Sequence, residues 1–289
     1  MFYVITKGKG PNLDGPAQAH GKSYKTLACE SENMVLKKLH EGNSARIVAL
    51  IDKYPEILIS PLNAPRKYGS TNVLLIAAEK GFLNVCEKIL TAVASPAYIA
   101  QFQCGQNGMT YEMCAMLVEM YLNTPDTETC ETPLHLAVKF GHVDVVKLLM
   151  SYPQCKLKPN IHGQYPNEMI CSNAETLNKS KSVSETIAAL LEENFFLAMM
   201  RTGANGEQPY LEEFFSRETL PDRSGSASDN FKFGRRITAF IGPMSFSKAQ
   251  KCHQLWKRSS SIISVSDIAA CGTRSSLRHI YSTKTIDPY

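Results

Sequence analysis

The run His20-Gly21-Lys22-Ser23 has the residue types of a phosphate-binding loop. In such a loop, glycine amides cradle the phosphates, the lysine reaches the terminal phosphates and the hydroxyl binds Mg²⁺. The motif requires a second glycine at the position of Pro16, and Gly15 is one place too early. No strand pattern precedes the run. The sequence therefore argues against nucleotide binding here.

Histidine, cysteine and acidic residues could in principle supply metal ligands, nucleophiles or acid–base pairs. The dipeptide Cys252-His253 has no matching pair at zinc-ligand spacing, and no serine lies in a G-x-S-x-G elbow. The pairs Glu192-Glu193 and Glu212-Glu213 are typical of solvated faces. The sequence therefore predicts a protein that is not an enzyme, with no catalytic, cofactor-binding or metal-binding residues.

The nine cysteines form no C-x-x-C pair and no regular spacing. An odd, scattered count indicates reduced thiols, as in cytosol or nucleus, and argues against a disulfide framework. No strongly apolar run is longer than Val73–Ala78, and this length is far too short to span a membrane. The amino-terminal apolar run is too short for a signal peptide.

The clearest structural pattern in the sequence is at Thr132–Leu149, which matches the T-P-L-H-x-A pattern of an ankyrin repeat. Thr132 suits a helix cap and Pro133 the first helical position. We expect His135 to hydrogen-bond backbone within the repeat, and Gly141 to end the first helix. The apolar stripe of the second helix is Val145, Val146, Leu148 and Leu149.

Three further repeats are found when the rest of the chain is aligned with this unit. Val73–Gly81 aligns with the first helix, and Met34–Ile51 gives a helix, a glycine turn and a helix. Tyr165-Pro166 lies one 33-residue ankyrin period after Thr132-Pro133. We place the second helix of that last repeat at Val183–Glu193. The predicted fold is all-α, an ankyrin-repeat solenoid of about four irregular repeats.

An inserted helix is predicted at Tyr111–Leu122, between the second and third repeats. Its methionines and other apolar residues follow helical spacing. Two interpretations remain open: the methionine-rich face packs on the stack, or it meets a partner, because methionine adapts its shape readily.

The domain prediction follows from changes in composition along the chain. Residues 1–29 are a largely irregular extension, residues 30–200 the ankyrin-repeat domain, residues 201–230 a linker, residues 231–258 a basic helical element, and residues 259–289 a disordered tail. Within the basic element we expect a helix from Lys248 to Lys257, with one face formed by Ala249, Cys252, His253 and Trp256.

The basic segment at 232–258 carries seven cations and no carboxylate, although the whole chain has a net charge of only +4. Its cations are Lys232, Arg235, Arg236, Lys248, Lys251, Lys257 and Arg258. Three roles remain open. The segment is a solvated face that docks on the ankyrin body, a site for an acidic protein partner, or a nucleic-acid contact.

Six short runs of the sequence together carry a family resemblance. They are Tyr121–Asp126, Glu131–His135, Lys139–Gly141, Pro166–Cys171, Ala239–Ser245 and Leu255–Lys257. These runs resemble one nuclear-envelope family, that of ankyrin repeat and LEM domain-containing protein 2, and the resemblance covers roughly Ser23 to Arg258.

The resemblance implies a non-enzymatic scaffold of mitotic exit. Members of this family promote dephosphorylation of barrier-to-autointegration factor by engaging protein phosphatase 2A and restraining the vaccinia-related kinase. The family lies at the endoplasmic reticulum and nuclear envelope. Its members carry a membrane anchor and a LEM domain, which this sequence does not show, so the chain as given is expected in cytoplasm or nucleus. The alternative is a generic ankyrin adaptor without a mitotic role.

Partner-binding residues are expected at the loop tips and on the exposed face of each first helix. In the third and fourth repeats these are Thr127, Glu128, Thr129, Glu131, Lys139, His162, Gln164 and Asn167. Because these are predicted surface positions, alanine at Glu128, Glu131 and Lys139 should leave stability nearly unchanged.

Overall fold

A computed structural model describes residues 37, 39, 41–60, 63–100, 111–173, 181–201, 210–220, 236–258 and 278–279. Stacked helices come first and an antiparallel sheet with one covering helix follows. Within these ranges, no helix is both long and apolar enough to cross a membrane. The helices of the stack are α1 (Ser44–Lys53), α2 (Val73–Lys80), α3 (Leu83–Val93), α4 (Pro96–Ala100), α5 (Tyr111–Asn123), α6 (Pro133–Lys139), α7 (Val143–Met150) and α8 (Lys181–Glu192).

The third repeat confirms the helix-turn-helix prediction. Thr132 caps α6 through its side-chain oxygen, and Pro133 is the first helical residue. Gly141 has a φ of 67°, a left-handed conformation that glycine adopts at little cost, and the chain reverses there into α7. The predicted stripe of α7 lies in the core, with Val145, Val146, Leu148 and Leu149 all buried.

The second repeat is confirmed as well, and it contacts the third through a histidine. The side chain of Asn72 accepts from the amides of Leu74 and Leu75 at 2.9 and 3.1 Å and so caps α2. Gly81 ends that helix with a φ of 72°. A Cβ on Gly81 would lie only 2.5–2.9 Å from ring atoms of His142, so a larger residue at Gly81 would force that ring to move.

The first and fourth repeats are less regular. In the first, Gly42 turns the chain into α1 with a φ of 72°, while most of the predicted helix before it lies outside the described residues. In the fourth, the first helix is reduced to a single 3₁₀ turn at Pro166–Glu168. The displaced second helix is α8, which buries Ile187 and Leu191 against the stack.

The inserted helix α5 packs on the stack through one face. Leu117 and Tyr121 are fully buried, and the hydroxyl of Tyr121 donates to the carbonyl of Leu58. The methionine stripe is divided between core and solvent. Met113 packs against the core, whereas the side chain of Met116 is 49% exposed.

After α8 the chain forms a sheet, so the prediction of an all-α fold is wrong for this part. The strands of this sheet are β3 (Phe195–Arg201), β4 (Tyr210–Ser216), β5 (Arg236–Met244) and β6 (Arg278–His279). They pair in the order β4-β3-β5-β6. A separate short pair, β1 (Lys67–Tyr68) and β2 (Thr71–Asn72), lies within the helical stack. β4 falls inside the predicted linker, and β5 inside the predicted helical element.

Apolar residues on both faces of the sheet explain why the strands do not show a strand pattern. Phe196 and Ala198 lie in one hydrophobic cluster, and Leu197 lies in the other. Strands buried on both faces lose the apolar–polar alternation that identifies half-buried strands. Leu, Ala and Met are also good helix formers, so the run Phe195–Met200 gives no local strand signal.

One face of the sheet is covered by α9 (Phe246–Arg258). Ala249 and His253 are buried, and Cys252 and Trp256 are half-buried, which confirms the predicted apolar face of this helix. Phe246 makes edge-to-face contacts with Phe195 and Phe214 at centroid distances of 5.3 Å.

A buried arginine joins this sheet to the ankyrin stack. The guanidinium of Arg217, which directly follows β4, donates to the carbonyls of Tyr152 at 2.7 Å, Cys155 at 3.2 Å and Met150. Its carbon lies 4.8 Å from the ring centre of Phe196. The carbonyl of Met150 belongs to the last residue of α7. A cation there complements the helix dipole and pairs the carbonyl of Met150, which the helix end leaves without a partner inside the helix.

Candidate partner-binding surface

The loop of the third repeat, residues 126–131, is organised by one carboxylate. Asp126 accepts from the amides of Glu128, Thr129 and Glu131 at 2.8, 2.7 and 2.9 Å, and from the hydroxyl of Thr129. Burial raises the pKa of Asp126, but the hydrogen bonds from these donors outweigh it and lower the pKa below its ordinary value. The ionised side chain therefore fixes the loop.

The loop of the fourth repeat, residues 160–165, is organised in the same way by an amide. The side-chain oxygen of Asn160 accepts from the backbone N–H groups of His162 and Gln164 at 2.9 and 3.0 Å. The backbone N–H of Asn160 donates to the carbonyl of Gln164 at 2.9 Å, which closes a tight hairpin. Asn160 itself is buried, so the tip is held from beneath.

Hydrogen bonds between loops connect the second, third and fourth repeats. The amide of Thr127 donates to the carbonyl of Ser70 at 3.0 Å, and the amide of Ile161 donates to the carbonyl of Thr129 at 3.0 Å. We call residues 126–131 together with residues 160–168 the loop ridge. Its backbone is fixed within and between repeats, so its exposed side chains are presented in a fixed arrangement.

His135 supports the ridge from inside the stack. Its Nδ1 accepts from the amide of Thr132 at 3.1 Å, which leaves Nε2 as the donor to the carbonyl of Gln164 at 3.2 Å. The bond within the repeat agrees with the prediction, and the bond to Gln164 extends into the next repeat. Burial lowers the pKa of His135, against the opposing effects of the Gln164 bond and the carboxylates of Glu131 and Asp126.

The lowered pKa of His135 predicts a pH-dependent stability. The unfolded chain, with a histidine pKa near 6.5, binds a proton more readily than the folded chain as pH falls below that value. The stability from neutral His135 is therefore present above about pH 6.5 and is lost as pH falls towards the lower folded pKa. His135→Gln should cost about 1–3 kcal/mol at neutral pH.

Urea unfolding of both proteins between about pH 7.5 and pH 5.5 provides the measurement. The difference in unfolding free energy between wild type and His135→Gln should shrink as pH falls, because only the wild type has this titration. A difference that stays constant across the range would contradict the assignment of a buried neutral imidazole.

The structure places most of the predicted partner-binding residues at solvent. Thr129 is half-buried and its hydroxyl bonds Asp126. Five of the predicted residues are exposed: Thr127, Glu128, His162, Gln164 and Asn167.

Glu131 and Lys139 do not have the surface exposure that the sequence predicts for them. Glu131 is only 4% exposed, and the ammonium of Lys139 donates to its two carboxylate oxygens at 2.9 and 3.1 Å. The pair spans the start and end of the first helix of the third repeat. Removing Lys139 would leave a buried charge without its partner, so the prediction of unchanged stability does not hold for these two positions.

Two residues of the loop ridge were missed by the sequence analysis. Ile161 is 61% exposed and Tyr165 is 45% exposed, and both are large apolar side chains. Their residue types suggest burial, so composition gives no hint of their exposure. The position of Ile161 in the sequence could have indicated its exposure, because it follows Asn160, which starts the hairpin.

The basic segment is divided between strand and helix. Lys232 and Arg235 lie outside the described residues, Arg236 begins β5, and Arg258 ends α9. Lys251 and Lys257 are exposed on α9. The ammonium of Lys248 lies 3.7 Å from the carboxylate of Glu193, next to the last residue of α8. A contact of this type would form if the basic segment docks on the ankyrin body, which is one of the three roles left open by the sequence.

Two observations on the described part of the chain concern metal ligands and thiols. No three His, Cys, Asp or Glu side chains come together there in a group that could hold a metal ion. Burial raises the pKa of Cys155 to about 11, and that of Cys86 to about 12. Because the thiolate is the nucleophile, these two thiols are unreactive at neutral pH.

Comparison with known proteins agrees with the repeats seen in the structure. The family model for ankyrin repeats, in three copies, matches residues 17–162. Over 88% of its length the chain is 30% identical to "Ankyrin repeat and LEM domain-containing protein 2" of Rattus norvegicus. Over 86% it is 31% identical to the Drosophila melanogaster homologue. The chain covers 28% and 21% of these two relatives, so it spans about a quarter of their length.

Proposed function

The chain belongs to the ankyrin-repeat family, and from that premise we propose that the loop ridge is its protein-binding surface and that the chain acts as a non-enzymatic adaptor. The observation that carries the proposal is the hydrogen bond from the amide of Ile161 to the carbonyl of Thr129. It joins adjacent loops into one surface. Ankyrin stacks offer such extended surfaces to other proteins.

We propose further that the partners are those of the relatives' family. In this view the chain promotes dephosphorylation of barrier-to-autointegration factor by recruiting protein phosphatase 2A and restraining the vaccinia-related kinase. The setting is nuclear envelope reassembly at the end of mitosis. The similarity over 86–88% of the chain to the rat and Drosophila relatives supports this proposal. We place the chain at the endoplasmic reticulum or nuclear envelope on the same basis.

The test is a pull-down from mitotic and interphase extracts with tagged full chain. The ridge variant Thr127→Ala/Glu128→Ala/His162→Ala changes exposed side chains and spares the buried Glu131–Lys139 pair. The control variant Lys147→Ala/Glu192→Ala/Gln254→Ala changes three exposed residues outside the ridge. Immunoblots for the phosphatase catalytic subunit give the readout.

Wild type and control should recover the phosphatase, and the ridge variant should recover at least about tenfold less, since a few contacts dominate most interfaces. Equal recovery by all three proteins would remove the ridge as the binding surface. Absence of phosphatase from wild-type samples, with other proteins retained on the ridge, would favour the generic adaptor without a mitotic role.

A further inference from the structure

Two large apolar side chains project from one loop of the ridge. Ile161 and Tyr165 lie four residues apart in the chain, at 61% and 45% exposed. Elsewhere in the described ranges, the large apolar side chains with comparable exposure lie on helices α5 and α9. Large apolar side chains presented together at a protein surface commonly mark an interaction site.

The backbone beneath both residues is fixed. The amide of Ile161 donates to Thr129 of the preceding repeat at 3.0 Å. The amide of Tyr165 donates to the carboxylate of Glu168 at 2.6 Å, and the neighbouring carbonyl of Gln164 accepts from His135. The backbone of such a preorganised loop loses little further entropy on binding, which is the property of an effective anchor.

The surroundings of these anchors are acidic. Residues 124–131 and 160–173 contain four carboxylates, on Asp126, Glu128, Glu131 and Glu168, and no lysine or arginine. Lys139 pairs with one of them, Glu131. The cations that precede the fourth loop are Lys156, paired with Glu119 at 2.6 Å, and the exposed Lys158. The exposed Glu128 remains at the tip of the third loop.

We propose that Ile161 and Tyr165 are the apolar anchors of the partner-binding surface, and that the partner is a protein segment bearing an apolar side chain flanked by lysine or arginine. The inference rests on the proposed role of the loop ridge in binding. Apolar anchors fit an apolar side chain, and the exposed carboxylates of Glu128 and Glu168 fit its flanking cations. The same carboxylates repel phosphate groups, so nucleic acid and anionic membranes do not fit this surface.

The test is selection of random peptides displayed on phage, with the immobilised full chain as bait. Synthetic copies of the enriched peptides are then titrated by fluorescence anisotropy. We expect enriched sequences to combine an aromatic or aliphatic residue with flanking Lys or Arg. Ile161→Ala and Tyr165→Ala should each raise the Kd by about tenfold or more. Met116→Ala is the matched control, because it removes an exposed apolar side chain from α5, and it should leave the Kd unchanged.

Charge is tested separately from the apolar anchors. Glu128→Lys should weaken binding of the same peptides. Glu192→Lys, which replaces an exposed carboxylate on α8, should leave their binding unchanged. Thermal unfolding of each variant checks that the chain remains folded. Enrichment of acidic peptides, or equal Kd values for wild type and both anchor variants, would overturn the proposal.

Self-association is a further outcome that would overturn it. If no peptide is enriched and sedimentation shows a dimer that the anchor variants abolish, the occupant is a second copy of the chain. The pull-down of the phosphatase gives a distinct answer. Loss of that partner with intact peptide binding would refute the mitotic role alone, and phosphatase binding that survives both anchor substitutions would refute the anchors alone.

Discussion

Replacement of Arg217 by methionine should lower the free energy of unfolding by about 2–5 kcal/mol. The substitution keeps an apolar stem beside Phe196 but removes donors to the carbonyls of Met150, Tyr152 and Cys155. The carbonyl of Tyr152 keeps the amide of Cys155 as a donor at 3.1 Å, but each buried carbonyl left without a donor costs about 1–3 kcal/mol, and water entering the site recovers part of this. Arg217→Lys should not restore stability, because one ammonium cannot reproduce the planar fork of donors.

The protein offers a direct readout for this prediction. Its single tryptophan, Trp256, lies on α9 and reports on the sheet, whereas circular dichroism reports mainly on the helices of the stack. In wild type, the two urea transitions should coincide. In Arg217→Met, the fluorescence transition should move to lower urea than the helical transition, since the arginine joins the two parts.

The matched control for Arg217 is Lys251→Met, which removes a cation from the exposed face of α9. Surface changes of this kind usually alter stability by less than about 0.5 kcal/mol. If Arg217→Met unfolded like this control, the guanidinium would not be the connection between sheet and stack.

The second large effect is expected from Leu149→Ala, at about 2–5 kcal/mol. Leu149 is fully buried on α7, and its truncation leaves a cavity in the core of the stack as well as losing apolar burial. Leu134→Ala should cost a similar amount, because Leu134 is equally buried on α6. Urea denaturation gives the measurement, with the slope of free energy against urea used to check two-state behaviour.

Leu255→Ala is the control for these core substitutions. It removes the same atoms from a side chain that is 43% exposed on α9, so it should cost much less. Unchanged stability of Leu149→Ala would contradict the packing of the third repeat.

The repeats could be predicted because their signals are local. Thr132, Pro133 and Gly141 each act within one turn of the chain, as a cap, a first helical residue and a left-handed stop. The spacing of Val145 and Leu149 is likewise a property of one helix. Such features depend on neighbours a few residues away, so the sequence specifies them directly.

The exposure of the candidate site could be predicted only in part. Thr127, Glu128, His162, Gln164 and Asn167 lie at solvent as expected for loop residues. Glu131 is buried because Lys139, eight residues later, returns to it across the length of α6. Ile161 is exposed because Asn160 and Thr129 hold the hairpin tip outwards. These outcomes depend on contacts between elements, which residue type does not reveal.

The sequence by itself determined the helix-turn-helix units, their order and the family to which they belong, since each rests on spacing within a short segment. Tertiary structure decided the rest. The run beginning at Phe195 is a strand because it pairs with β4 and β5 and is buried on both faces, which overrides its local helix preference. Arg217 is a structural residue because folding brings its guanidinium to carbonyls more than sixty residues earlier, around the end of α7. Pairing and burial between distant segments are properties of the folded chain, and no local pattern records them.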